Sequence, residues 1–179
     1  MTQITLAVTG SISAYKAADI TSQLTKLGLE VKVLMTPAAR KFITPLTLQV
    51  LSKHQVGLDV IIEDDPQRIE HIDIGKETDL FLVAPASANT IAKLAMGLAD
   101  NMVTSTALAL PQTTKKLLAP AMNTKMLEHP ATQRNLKLLQ DYGYQIIQPR
   151  DTVLACGDKG SGALATVEAI VEAVKENCL

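Results

Sequence analysis

The sequence contains no tryptophan, and aromatic residues make up only 3% of it. That scarcity leaves no stacking platform for single-stranded nucleic acid. Charge of one sign is equally lacking: 17 Lys and Arg stand against 18 Asp and Glu, with no basic block. No nucleic-acid or anionic-membrane footprint is therefore expected. No apolar run reaches the ~18 residues of a membrane span, and the N-terminus shows no charged-then-apolar leader. Cysteine is limited to Cys156 and Cys178, too few for a disulfide framework. These absences together predict a cytoplasmic chain with reduced thiols. His54, His71 and His129 show no metal-ligand spacing with those cysteines, so no metal is expected. There is no Gly-x-Ser-x-Gly elbow either, which weighs against serine hydrolase chemistry.

What is present is apolar sequence, 47% of 179 residues, enough for one domain with a sizeable core. The run over 4–9 reads as a buried strand ending at Gly10. Ala14, Ala17, Ala18, Ile20, Leu24 and Leu27 then recur at helical spacing until Gly28. A second strand over 31–35 completes a βαβ unit. Residues 38–53 predict a short helix, a break at Thr44-Pro45 and a second helix through Leu51. Val56, Val60, Ile61 and Ile62 suggest short strands, and Glu63-Asp64-Asp65-Pro66 a solvated turn. Further strands are expected over 79–84, 115–119 and 145–147. Helices are expected from the loop at 85–90 through Met96, then over 102–110, 131–142 and 166–176. Alternating strands and helices imply an α/β fold, a parallel sheet with helices on both faces. No repeat or linker divides 1–179, so a single domain is expected.

Ligands of open α/β sheets bind where strands end and helices begin. Three such junctions hold polar groups. In Gly10-Ser11-Ile12-Ser13, glycine permits close backbone approach and the helix N-terminus favours an anion. Neither a Walker A loop nor a three-glycine dinucleotide fingerprint is present, so an ordinary turn fits the spacing as well. Pro85-Ala86-Ser87-Ala88-Asn89-Thr90 repeats the device with two hydroxyls and an amide. Two such loops point to a nucleotide-like ligand ending in phosphate, although a helix cap explains either loop alone. In Pro120-Ala121-Met122-Asn123, the Asn123 amide either caps the next helix or meets a ligand. Lys125 and Lys159 lie in loops suited to an anion. His71, between isoleucines, is a packing residue or a base. Finally, Gly157, Gly160 and Gly162 fall within six residues. That density excludes a helix or central strand and suggests a loop that carries Cys156 over a site, or an incidental thiol on a flexible surface.

Taken in order, Gly10-Ser11-Ile12, His71, the Pro-Ala-Ser-Ala-Asn-Thr loop, Pro-Ala-Met-Asn and Ala155-Cys156-Gly157-Asp158 resemble the flavin-containing cysteine decarboxylase family, and most closely its coenzyme A biosynthesis branch. The resemblance runs from Gly10 to about Ala165. Two apolar positions depart from it: Leu127, where the family often has Trp, and Leu164, where it has Met. The resemblance implies a three-layer, Rossmann-like fold of flavodoxin type that binds FMN. It implies homotrimers, or dodecamers of trimers, with active sites at subunit contacts. By motif, Gly10, Ser11, Ile12, Thr36, Ser87, Ala88, Asn89, Thr90 and Ala121 would touch FMN. His71 would be the base, Asn123 would bind the substrate carboxylate, and Cys156 would donate a proton. Met122, Ala155, Gly157 and Asp158 would contact substrate, and 153–165 would form a clamp.

The implied reaction is FMN-dependent decarboxylation of 4'-phosphopantothenoylcysteine to 4'-phosphopantetheine and CO2. It would pass through a thioaldehyde and an ene-thiolate, with re-reduction by the flavin. A separate phosphopantothenate–cysteine ligase is the expected pathway neighbour, since the length leaves no room for that domain. The alternatives on the same fold are a peptidyl-cysteine decarboxylase acting on a precursor peptide, a flavin prenyltransferase and a non-catalytic flavin-binding regulatory subunit.

Overall fold

A computed structural model describes residues 2–61, 69–155, 157 and 159–178. Short apolar runs rich in Val, Leu and Ile form the strands β1 (Gln3–Val8), β2 (Glu30–Met35), β3 (Leu80–Ala86), β4 (Lys115–Pro120) and β5 (Tyr144–Ile146). They pair in the order β2-β1-β3-β4-β5, and every pair is parallel. A parallel sheet of this kind needs cover on both faces. The cover comes from α1 (Ala17–Lys26), α2 (Pro45–Ser52), α3 (Glu70–Glu77), α4 (Ala88–Met96), α5 (Met102–Leu108), α6 (Thr124–Glu128), α7 (Pro130–Asp141) and α8 (Val167–Cys178).

Side-chain alternation along the strands splits the interior into two cores. Ile4, Leu6 and Val8 of β1 pack with Ile20 and Leu24 of α1, Leu48 of α2, and Ile170 and Val174 of α8. Ala7 points the other way, with Phe81, Val83 and Leu118, onto Ile74 of α3, Ile91 of α4, Met102 and Val103 of α5, and Leu136 and Leu139 of α7. The expected three-layer flavodoxin-type architecture is thus realised.

Three segments differ from expectation. No strand forms over 54–61; a single bridge joins Gly57 to Leu34. Val56 and Val60 instead serve as plugs, one against each core. Ile62 and the acidic turn at 63–66 lie outside the described residues. Secondly, residues 70–77 form α3, a helix that the sequence did not announce. Its N-cap, Ile69, makes no side-chain cap bond, and Gly75 sits in its last turns, against the carbonyl of Ala109. The polar N-cap and the glycine just past the last turn, the sharpest start and stop signals, are both missing.

The third difference is the glycine-rich segment, expected as a loop. Arg150–Val153 (β6) and Lys159–Ala163 (β7) pair as an antiparallel hairpin, separate from the main sheet. Gly160 and Gly162 are there for contact. Met122 N–H donates to Gly162 O at 2.9 Å, and Thr124 Oγ1 donates to Ser161 O at 2.7 Å. A Cβ on Gly162 would lie 2.2 Å from Met122 O, and one on Gly160 would lie 2.6 Å from Thr124 Oγ1. The hairpin therefore lies directly on the loop that follows β4.

Gly162 also has φ +132°, whereas Gly28, with φ +79°, has nothing near its missing Cβ. Gly28→Ala should cost about 1 kcal/mol from its left-handed backbone alone. Gly162→Ala adds a collision and should cost roughly 3 kcal/mol. Chemical denaturation of both variants checks the difference, and equal losses would show that the hairpin's seat on the 122–124 loop is not what Gly162 protects.

Candidate active site

At the C-terminal edge of the sheet, the loops after β1, β3 and β4 meet the hairpin around a cleft of about 590 Å³. Gly10, Ser11, Ile12, Ser87, Ala88, Ala121, Met122, Asn123 and Ala155 all line it. Most of the residues singled out by motif therefore converge, although they come from four separate stretches of chain.

Local chemistry explains each loop. Ser11 caps a 3₁₀ turn over Ile12–Lys16, its Oγ accepting from Ser13 N–H at 3.3 Å. Gly10 is required by packing: an added Cβ would sit 2.5 Å from Ala38 Cβ. Thr36 is buried and lies off the cleft wall, where its Oγ1 accepts from Ala39 N–H at 3.2 Å and shapes the turn that Gly10 meets. Ser87 caps α4 through Thr90 N–H at 3.3 Å, and its hydroxyl also donates to Thr90 Oγ1 at 3.3 Å. Thr90 is buried beneath that cap and Asn89 is exposed, and neither lines the cleft. Asn123 both lines the cleft and caps α6, its Oδ1 accepting from Lys125 N–H at 2.9 Å. For Ser87 and Asn123 the capping role and a place on the wall coexist.

The expected base is placed elsewhere. His71 sits half-buried on α3 and is not on the wall; its Nδ1 is buried without a hydrogen-bond partner among the described residues. Gly157 is exposed, has φ +88° and does not line the cleft. Cys156 and Asp158 lie outside the described residues.

Several wall residues escaped the sequence reading. Lys16 and Arg150 are its cationic residues, in place of Lys125 and Lys159, and no Asp or Glu lines it among the described residues. Arg150 Nε donates to Leu164 O at 2.9 Å, which steadies the guanidinium at the root of the hairpin. A lone arginine opening a short strand gives no sequence signal. Alongside Ile12 and Val153, which were expected there, the unforeseen Tyr15, Phe42 and Met126 line the cleft, and all five are between 46% and 64% exposed. Such a concentration of open apolar side chains marks a ligand or partner surface. The wall thus suits a ligand with a flat apolar part and an anionic end.

A protein-family model described as Flavoprotein matches residues 1–179. The chain belongs to the flavoprotein family. Among curated members, the probable phosphopantothenoylcysteine decarboxylase of Streptococcus mutans is 63% identical over 174 residues, covering 97% of both chains. The coenzyme A biosynthesis bifunctional protein CoaBC of Bacillus subtilis is 46% identical, and this flavoprotein chain spans 42% of its length. Among solved structures, a PPC decarboxylase mutant complexed with pantothenoylaminoethenethiol matches with a TM-score of 0.90 at 32% identity, over 98% of this chain and 97% of that one. The FMN-dependent cysteine decarboxylase SpaF matches with a TM-score of 0.84 at 28% identity, over 100% and 98%.

Cys178 of this flavoprotein chain lies at the opposite edge, beside Asp79 and Lys115 where β3 and β4 begin. Burial pushes its thiol above the ordinary value, the Asp79 charge adds to that, and Lys115 opposes it. With less thiolate at pH 8, Cys178 in a Cys156→Ser chain should alkylate more slowly than free cysteine. An equal rate, followed by iodoacetamide and mass spectrometry, would mean that the end of α8 opens.

Proposed function

We propose that the cleft binds FMN and that the protein decarboxylates 4'-phosphopantothenoylcysteine to 4'-phosphopantetheine and CO2. The observation behind this reading is a single wall, free of carboxylates among the described residues, that joins two helix-entrance loops, Asn123 and the hairpin root. Its residues suit FMN. The apolar side chains Ile12, Tyr15 and Phe42 match a flat ring, while the Ser87-capped start of α4 and the Lys16 cation match a phosphate. The Streptococcus mutans relative, a probable phosphopantothenoylcysteine decarboxylase, and the two solved decarboxylase structures agree with it.

A carboxylate beside a thiol-bearing carbon holds its CO2, because the electron pair left behind has no acceptor. Bound FMN supplies a two-electron oxidation of that carbon and returns the electrons once CO2 has left. The protein's part is to bind, orient and move protons. Asn123 presents its amide to the substrate carboxylate from the start of α6. His71 takes the proton released when the carbon is oxidised to the thioaldehyde. As CO2 leaves, the C=S group accepts the electron pair, and Cys156 protonates the resulting ene-thiolate. Arg150, anchored by its Nε, offers its remaining donors to the substrate phosphate. Met122, Ala155, Gly157 and Asp158 border the substrate.

The place of His71 off the wall supports a homo-oligomer, a trimer or a dodecamer of trimers, in which His71 of one subunit serves the cleft of another. The protein then works in the cytoplasm, after a separate ligase that joins cysteine to phosphopantothenate.

The first test is the visible spectrum of the purified protein, with CO2 release from phosphopantothenoylcysteine. A colourless protein that leaves the substrate intact would end this reading. His71→Asn should keep its flavin and lose about 10²–10⁴-fold in turnover. Co-expression of His71→Asn with Asn123→Ala subunits should restore part of that activity, and none would return if each cleft used its own His71. Cys156→Ser should still release CO2, because a serine hydroxyl is too weak an acid only for the later protonation. Its product should be about two hydrogens lighter than phosphopantetheine. Fully reduced product would remove Cys156 from the proton-donor role.

A further inference from the structure

The two helix-entrance loops of the cleft are not bonded to each other by adjacent strand backbone alone. Between them lies Thr9, the residue just after β1, with no exposed surface at all. Its hydroxyl donates to Pro85 O at 2.7 Å and accepts from Ser87 N–H at 2.9 Å. Its own carbonyl accepts from Ser11 N–H at 2.9 Å. One side chain therefore ties the loop that holds Ser11 to the loop that holds Ser87, the N-cap of α4.

The geometry points to Thr9 as a positioning residue for the phosphate end of the cofactor, a role that rests on reading the cleft as an FMN site. Thr9 does not line the cleft and touches no ligand itself. It fixes how far apart the two loops stand, and it sets the aim of the α4 N-terminus. With Ser87 N–H held by Thr9 and Thr90 N–H held by Ser87 Oγ, the first turn of α4 is pinned at both ends. The amides of Ala88 and Asn89, between those two pins, are the first-turn donors that an anion would meet. An apolar residue of the same shape would leave Pro85 O and Ser87 N–H without their partner in a buried place, and the loops would relax to find others.

Thr9→Val keeps the shape and removes the hydroxyl; Thr9→Ser keeps the hydroxyl and removes the methyl. Full-length proteins loaded with FMN or with riboflavin, which lacks the phosphate, are diluted serially. Recovery of flavin fluorescence gives each dissociation constant, and thermal unfolding is followed in parallel. Thr9→Val should weaken FMN by about tenfold or more, the loss of two buried hydrogen bonds to the loop. Riboflavin affinity should change by less than about threefold, and Thr9→Ser should restore FMN binding to within about threefold of wild type. Equal losses for FMN and riboflavin would make Thr9 a general packing residue and overturn the proposal. So would unchanged FMN binding in Thr9→Val. If Thr9→Val does not fold, Thr9→Ser still decides: weakened FMN binding with the hydroxyl present would overturn the role. A wild-type protein that binds neither flavin is a different failure, since it removes the FMN reading and this proposal with it.

Discussion

Everything at the functional edge follows from the strands all running one way. Parallel neighbours cannot be joined by tight turns, so each connection must cross back over a face of the sheet. The helices after β1, β3 and β4 consequently start at one edge, with their unpaired N–H groups and positive dipole ends gathered there. The opposite edge receives strand beginnings and the end of α8, with Cys178. One directional constraint thus separates a polar, anion-seeking edge from an edge without that chemistry.

A parallel sheet alone would leave that edge as independent loops. Here they are sewn together from one side to the other. Thr36 N–H donates to Val8 O, Ser87 N–H to Thr9 Oγ1, Ala121 N–H to Ala86 O, and Met122 N–H to Gly162 O. Each link joins the end of one strand to the next in the sheet, and the last reaches the hairpin. Because nearly every atom involved is main chain, the seam holds the cleft's outline while leaving the side chains on its wall to chemistry.

The sequence showed the junctions well because junctions have punctuation. Gly10, Ser11, Pro85, Ser87, Pro120 and Asn123 end runs of apolar residues, and a turn or cap needs such residues at such places. It showed less where structure comes from contacts distant in sequence. The helix that carries His71 has neither a polar cap nor a clean stop, and it owes its form to packing on α5. Gly160 and Gly162 read as slack, because glycine density looks the same whether it serves motion or contact. Only the neighbouring Met122 and Thr124 tell the two apart. Thr36 matched a motif but supports the turn behind the wall, and Arg150 matched none yet stands on it.

The seating of the hairpin has a bearing on how such a scaffold diversifies. Its attachments use the carbonyls of Ser161 and Gly162 and the space that two absent side chains leave. None of these depends on the identity of Thr152, Val153, Leu154 or Ala155, the hairpin residues that face the cleft. Those positions are free to drift, one substitution at a time, without unseating the segment that displays them. Glycine at 160 and 162 is the fixed hinge plate, and the rest is a changeable fitting. A lineage that keeps the plate can try new ligands at little risk to the fold.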